Sequence, residues 1–302
     1  MNIPPAVPAT SELSTDPVPH GWFQRTAITH PILLLLGAAT AFVWLTQMGS
    51  ALAGLDLMPA KLAELLLLVG LAVAITSATD RRPGVRQLFA GLLHWRLGWR
   101  YLLLVAAMPV LTGGVALATG TLHSPARGWV SVGLTYLLFL AIVAVTANLW
   151  EETVWGGFVQ GRLMARHGLL VGSLLTAVPV FLIHLPLAFE SSGWQGTTWR
   201  DAFITWGLLL VAAPFQRYLI GTLLIDTGGS TLAAGLMHAS INAAGTMVIV
   251  PGGWQFVPAL ILLTLGVAAY RSWRGRSATE GYAPAITPAS EAAERTALGV
   301  TP

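Results

Sequence analysis

Long apolar runs dominate the chain, and polar residues collect in short clusters between them. A helix needs about 20 mostly apolar residues to cross the hydrocarbon core of a bilayer, and the pattern predicts eight such helices, over residues 32–48, 58–79, 101–121, 130–159, 169–189, 203–225, 231–250 and 256–270. The runs follow one another with no gap wide enough for a soluble domain, so the pattern reads as an all-α, polytopic membrane helix bundle of about eight transmembrane helices. Residues 30–276 form the membrane domain. The segments 1–29 and 277–302, rich in Pro, Ser, Thr and Ala with few large apolar residues, read as flexible cytoplasmic tails. The first of them lacks the basic start and short apolar core of a signal peptide. Between residues 81 and 100, Leu88, Phe89, Leu92, Leu93 and Trp95 alternate with Arg and Gln, which suits either a surface amphipathic helix or a basic connecting loop.

Composition supports the same class, since 55% of residues are hydrophobic, 10% are charged and the mean hydropathy is +0.69. Basic residues are sorted by loop, which tests the span count independently because a wrong count would scatter them. With the N-terminus inside, Arg25, Arg81, Arg82, Arg86, Arg96, Arg100, Arg162, Arg166, Arg271, Arg274, Arg276 and Arg295 fall on the cytoplasmic side, against Lys61, Arg127 and Arg200 opposite. The reading is N-in/C-in, a multi-pass protein of the cell (plasma) membrane whose partners include the lipid bilayer. Trp95, Trp99, Trp129, Trp199, Trp254 and Trp273 lie near predicted helix ends, as interfacial tryptophans do. The basic residues form no nucleic-acid footprint. The lack of Cys excludes disulfides, thiol nucleophiles and Cys-ligated metals, and 15 Arg against one Lys hints at a GC-rich bacterial genome.

Within the apolar runs a few polar residues stand out. Glu151 and Glu152 are adjacent, and the helix continues past them through mostly apolar residues to Arg162, roughly 16 Å further at helical rise. His184 lies between Pro179 and Pro186, where it suits a functional site or a hydrogen bond to a carbonyl freed by proline. His238 and Asn242, four apart, share a helix face on which Gly235, Ala239, Ala243 and Gly245 allow close packing. Ionisable groups at membrane depth face a bundle interior or a wet cavity, so the five residues read as one polar site. Carboxylate and imidazole can activate water, which points to hydrolysis. Adjacent helical positions diverge by about 100°, so one glutamate faces the site and the other supports it. Glu64, near Lys61, reads as structural or interfacial, and Arg217, inside the sixth run, as a snorkelling cation with pairing to a carboxylate as the alternative.

Three ordered segments resemble the CAAX prenyl protease and bacteriocin-processing (CPBP) family of intramembrane proteases: the run from Glu151 through Trp155, Phe158 and Gln160 to Leu163, then His184, then Asp226 to Ser230 leading to His238 and Asn242. The resemblance covers about 149–245 and implies a cytoplasm-facing intramembrane cavity. There Glu151, assisted by His184, activates water against a peptide bond of a membrane-associated protein or peptide. His238 and Asn242 stabilise the oxyanion and Glu152 supports. Where the family motif has Arg, five residues after the first Glu, this chain has Gly156; where it has Phe, four before the His, this chain has Val180. Arg162, Arg217 or another group must then replace the motif cation, or activity changes. The residues make no cofactor certain, and Zn2+ is the candidate they leave open. If a metal takes part, Glu151, His184 and His238 form a set that takes Zn2+, although no His-Glu-x-x-His helix is present. Two other classes fit the same polar cluster: a noncatalytic membrane partner, such as a bacteriocin immunity or assembly protein, and a proton-coupled carrier, which internal repeats would support but none is visible.

Overall fold

The computed structural model describes residues 21–282 except Arg96, and throughout these the chain is helical and without strands. Helix α1 spans Trp22–Thr29, α2 Pro31–Leu52, α3 Met58–Ala90 and α4 Trp99–Ala118. A continuous helical run, α5, covers Gly128–Phe189, followed by α6 (Trp199–Asp226), α7 (Thr231–Gly245) and α8 (Phe256–Trp273).

Six of the described helices are long and apolar enough to cross a membrane: α2, α3, α4, α5, α6 and α8. The difference from the expected eight has two local causes. The fourth and fifth expected helices join into α5, which bends at Gly168 (φ 76°), a left-handed conformation open to glycine. The seventh ends at Gly245 rather than residue 250, because the chain there turns back: His123 N–H donates to the Ile249 carbonyl (3.0 Å) and Gly253 lies against the Gly245 carbonyl.

Both expected tail boundaries move. Residues 22–29 are helical. Residues 277–282 fold onto the bend in α5, where the first N–H groups of its second arm lack partners within the helix. Leu169 N–H donates to the Glu280 carbonyl (3.2 Å) and Leu170 N–H to that of Ala278 (2.9 Å). The remainder of both tails, 1–20 and 283–302, lies outside the described residues. The stretch after α3's membrane part is helical: an Arg81 with φ 56° breaks α3, and the chain continues as helix to Ala90.

Hydrocarbon supplies no hydrophobic drive between helices, so association rests on close packing and polar contacts. Two cores form on either side of α5. Leu35, Leu68, Ile75, Phe158 and Ile183 join α2 and α3 to α5, while Met108, Leu219, Met237, Ile241 and Leu260 join α4, α6, α7 and α8. Gly235 brings α7 onto α5: a Cβ there would lie 2.7 Å from Leu149 Cδ2 and 2.9 Å from its Cα. Ser230 caps α7, its Oγ accepting from Ala233 N–H (3.1 Å). That contact sets His238, two turns along α7, against the glutamates.

Candidate functional site

Glu151 and Glu152 occupy a single α-helical turn, Leu149–Glu152, between two stretches of wider π geometry, Ala144–Asn148 and Thr153–Gln160. Such insertions re-aim the side chains beside them and recur at functional sites. Here the two carboxylates part.

Glu152 is fully buried and points towards α6 and α7. Arg217 of α6, also buried, donates to it twice, Nη1 to Oε2 at 3.1 Å and Nη2 to Oε1 at 2.5 Å, and His238 Nδ1 lies 2.8 Å from Oε1. A two-pronged guanidinium contact fixes a carboxylate in position as well as in charge. Arg217 therefore does not snorkel. It lies nine residues before the end of α6, roughly 13 Å of helix rise from Asp226, and finds its counter-charge at that depth instead. It also answers the departure at Gly156, where a Cβ would lie 2.9 Å from Glu152 Oε2 and 3.4 Å from Leu224 Cδ1. The cation reaches the glutamate from a different helix. Arg162 does not serve: its Nη1 donates to the Phe158 carbonyl (2.9 Å) and its guanidinium stacks 3.9 Å from the Phe158 ring centre.

Glu151 turns the other way, into a cavity of about 50 Å³ lined by Gln47, Lys61, Glu64, Glu151 and His184 with Leu and Ile neighbours. A water occupies about 30 Å³ in the liquid, so this space suits one or two. Glu151 Oε2 accepts from Asn148 Nδ2 at 3.0 Å, and His238 Nδ1 is 3.7 Å from the same oxygen. His184 is oriented by its helix end. Its Nδ1 lies 2.6 Å from the Val180 carbonyl, which can only accept, so Nδ1 carries the proton and Nε2 presents a lone pair when the ring is neutral. Pro186 lacks the N–H that would bond the Leu182 carbonyl, and Trp44 Nε1 of α2 donates to it instead (3.2 Å). That bond ties the His184 end of α5 to α2.

Glu151, His184 and His238 thus gather around the π-flanked turn. Asn242 stands one step out: it is exposed, and it reaches Glu151 through Asn148, whose Oδ1 accepts from Asn242 Nδ2 at 3.2 Å. Two residues that the sequence reading passed over, Asn148 and Gln47, belong here as well, and so does Glu64, which that reading took as structural or interfacial. Asn148, almost fully buried, precedes Glu151 by one helical turn. Glu64 does not pair with Lys61, which bonds Glu190 (2.7 Å); it accepts from the buried Gln47 Nε2 (2.6 Å) and shares the cavity with Glu151. A Gln, an Asn and a Glu inside apolar runs were legible signals, since polar groups at that depth need partners.

Among the described residues no group of three or more His, Asp or Glu side chains is placed to hold a metal ion. His238 directs Nδ1 to Glu152 and His184 directs Nδ1 to the Val180 carbonyl, which leaves Nε2 as the remaining nitrogen of each ring.

Fold and site together define a multi-pass membrane protein with a carboxylate and histidine site between its helices. Residues 133–244 match the family described as type II CAAX prenyl endopeptidase Rce1-like, a family of proteases, in agreement with the CPBP motifs of the same segment. The matched segment contains Glu151, Glu152, His184, Arg217, His238 and Asn242, and it excludes Gln47 and Glu64. No curated protein matches the chain.

Proposed function

We propose that this protein is an intramembrane endopeptidase that hydrolyses a peptide bond of a membrane-associated protein, with Glu151 as general base. One observation carries the reading: Glu151 opens with His184 onto a water-sized cavity, while Glu152 beside it is locked by Arg217 and His238. Glu151 takes a proton from the cavity water as the water oxygen bonds to the peptide carbonyl carbon. His238 and the exposed Asn242 receive the developing oxyanion, and the C–N bond breaks as the proton passes to the leaving nitrogen. The presence of Arg217 where the motif cation is missing favours catalysis over a noncatalytic membrane partner.

The assay is cleavage of membrane-anchored peptides by the purified protein in a bilayer, read by mass spectrometry of the fragments. Folded protein that cleaves none of a broad set of such peptides would overturn the reading. Glu64, the second carboxylate on the cavity, has its own expected outcome. Glu64→Gln removes one titrating group from the site and should flatten one limb of the pH–rate profile, with turnover reduced by up to roughly 10²-fold; an unchanged profile assigns Glu64 to structure alone.

The topology that accompanies this function has eight passes in the plasma membrane with both termini cytoplasmic. α5 crosses twice about Gly168, and α7 makes a short pass. Reporter fusions at Arg86 and Trp194 should then report opposite sides; the same side for both would sink the count.

A further inference from the structure

Another cavity lies away from Glu151. It is a groove of about 1040 Å³ between α4, α6 and α8. At one end the start of α4 meets the ends of α6 and α8: Tyr101 Oη donates to the Asp226 carbonyl (3.0 Å), and Arg271 and Arg276 both bond the Asp226 carboxylate. From there a leucine wall runs inward. Leu111 lies ten residues beyond Tyr101 on α4 and Leu262 nine residues before Arg271 on α8, roughly 15 and 13 Å of helix rise. That depth is about half of the roughly 30 Å hydrocarbon core, the reach of one leaflet. Leu103 and Leu262 are 55% and 56% exposed, so the groove opens sideways to lipid.

Its polar end is cationic. Arg100, Arg271, Arg274 and Arg276 line it against the single carboxylate of Asp226, and Glu280 offsets Arg271 from outside the lining. Arg100 and Arg274 are exposed and pair with no carboxylate among the described residues; Arg100 stands 5.8 Å from the Trp99 ring centre. Trp99 and Trp273, both exposed, mark the same level, as tryptophans do at a membrane interface.

We propose that this groove is a binding site for one anionic phospholipid, its acyl chain along the leucine wall and its phosphate held by Arg100 and Arg274. Guanidinium groups bind phosphate oxygens in pairs, and basic pockets between transmembrane helices select anionic head groups. The assignment is independent of the proposed peptidase activity, since none of the lining residues belongs to that site.

The test is native mass spectrometry of lipid retained by the purified protein after reconstitution with zwitterionic phospholipid in excess over anionic. The wild type should retain one anionic lipid, enriched over the bulk ratio by roughly fivefold for each arginine that contacts it. The double variant Arg100→Gln/Arg274→Gln should fall to the bulk ratio at unchanged melting temperature. In Gly266→Phe the new side chain enters the groove, because a Cβ at Gly266 meets nothing within 4 Å, and retention should be lost with every arginine in place. Retention at the bulk ratio by the wild type, or enrichment that survives the double variant, would overturn the proposal. So would binding of inorganic phosphate alone that persists in Gly266→Phe, which would make the arginines a simple anion site.

Discussion

Glu151→Gln is expected to keep the fold and lower turnover of a membrane-bound peptide by roughly 10² to 10⁴-fold, because an amide cannot accept the proton of the attacking water. The substitution is nearly isosteric, and it retains an oxygen to accept from Asn148 Nδ2. The Glu152 pair with Arg217 is untouched, so melting should stay at the wild-type temperature. This separation is what makes the test informative. Loss of activity with an unchanged melting temperature assigns chemistry to Glu151, whereas an unchanged rate removes it from the catalytic role. Single-turnover rates should fall with the steady-state rate, since the lost proton transfer belongs to the chemical step rather than to substrate entry.

Much of this was legible in the sequence, and what was not has physical causes. Helix positions followed from apolar length alone: α2, α3, α4, α6 and α8 begin within a few residues of the predicted starts. The merging of two predicted helices into α5 depended on the φ of Gly168, which hydropathy does not encode. Tail ends were misplaced because residues 277–282 are held by backbone donors exposed at that bend, and a composition argument sees no such partner. The polar residues themselves could be read as buried, but not their pairing. Arg217 lies 65 residues from Glu152, and nothing local says that α6 will present it at that depth. Glu64 was read with Lys61, three residues away on the same helix, while the folded chain sets Lys61 on Glu190 and turns Glu64 to Gln47 and the Glu151 cavity.

Arg217→Met is expected to be the most destabilising single change at the site. It leaves Glu152, fully buried, without its guanidinium partner, and breaking a buried ion pair from one side costs about 3–5 kcal/mol because the remaining charge is uncompensated. His238 retains its contact with Glu152 and offsets part of that loss. Glu152→Gln strands the opposite charge and should destabilise by a similar amount. In the double variant Glu152→Gln/Arg217→Met no unpaired charge remains, and stability should recover towards the wild type, with a coupling of roughly 0.5–3 kcal/mol in the double-mutant cycle. Melting temperatures of the four proteins in one detergent read the cycle directly. A fourth variant asks whether the cation can return to the position of the family motif. The atoms nearest a Cβ at Gly156 are Glu152 Oε2 at 2.9 Å, a methyl of Leu224 at 3.4 Å and Glu152 Cβ at 3.8 Å; the two closest are side-chain ends able to shift once Arg217 is gone, so Gly156→Arg added to Arg217→Met should restore part of the lost stability. Arg217→Met as stable as the wild type would remove the ion pair from the account of the site. Failure of Gly156→Arg to restore anything would show that the cation must approach from α6.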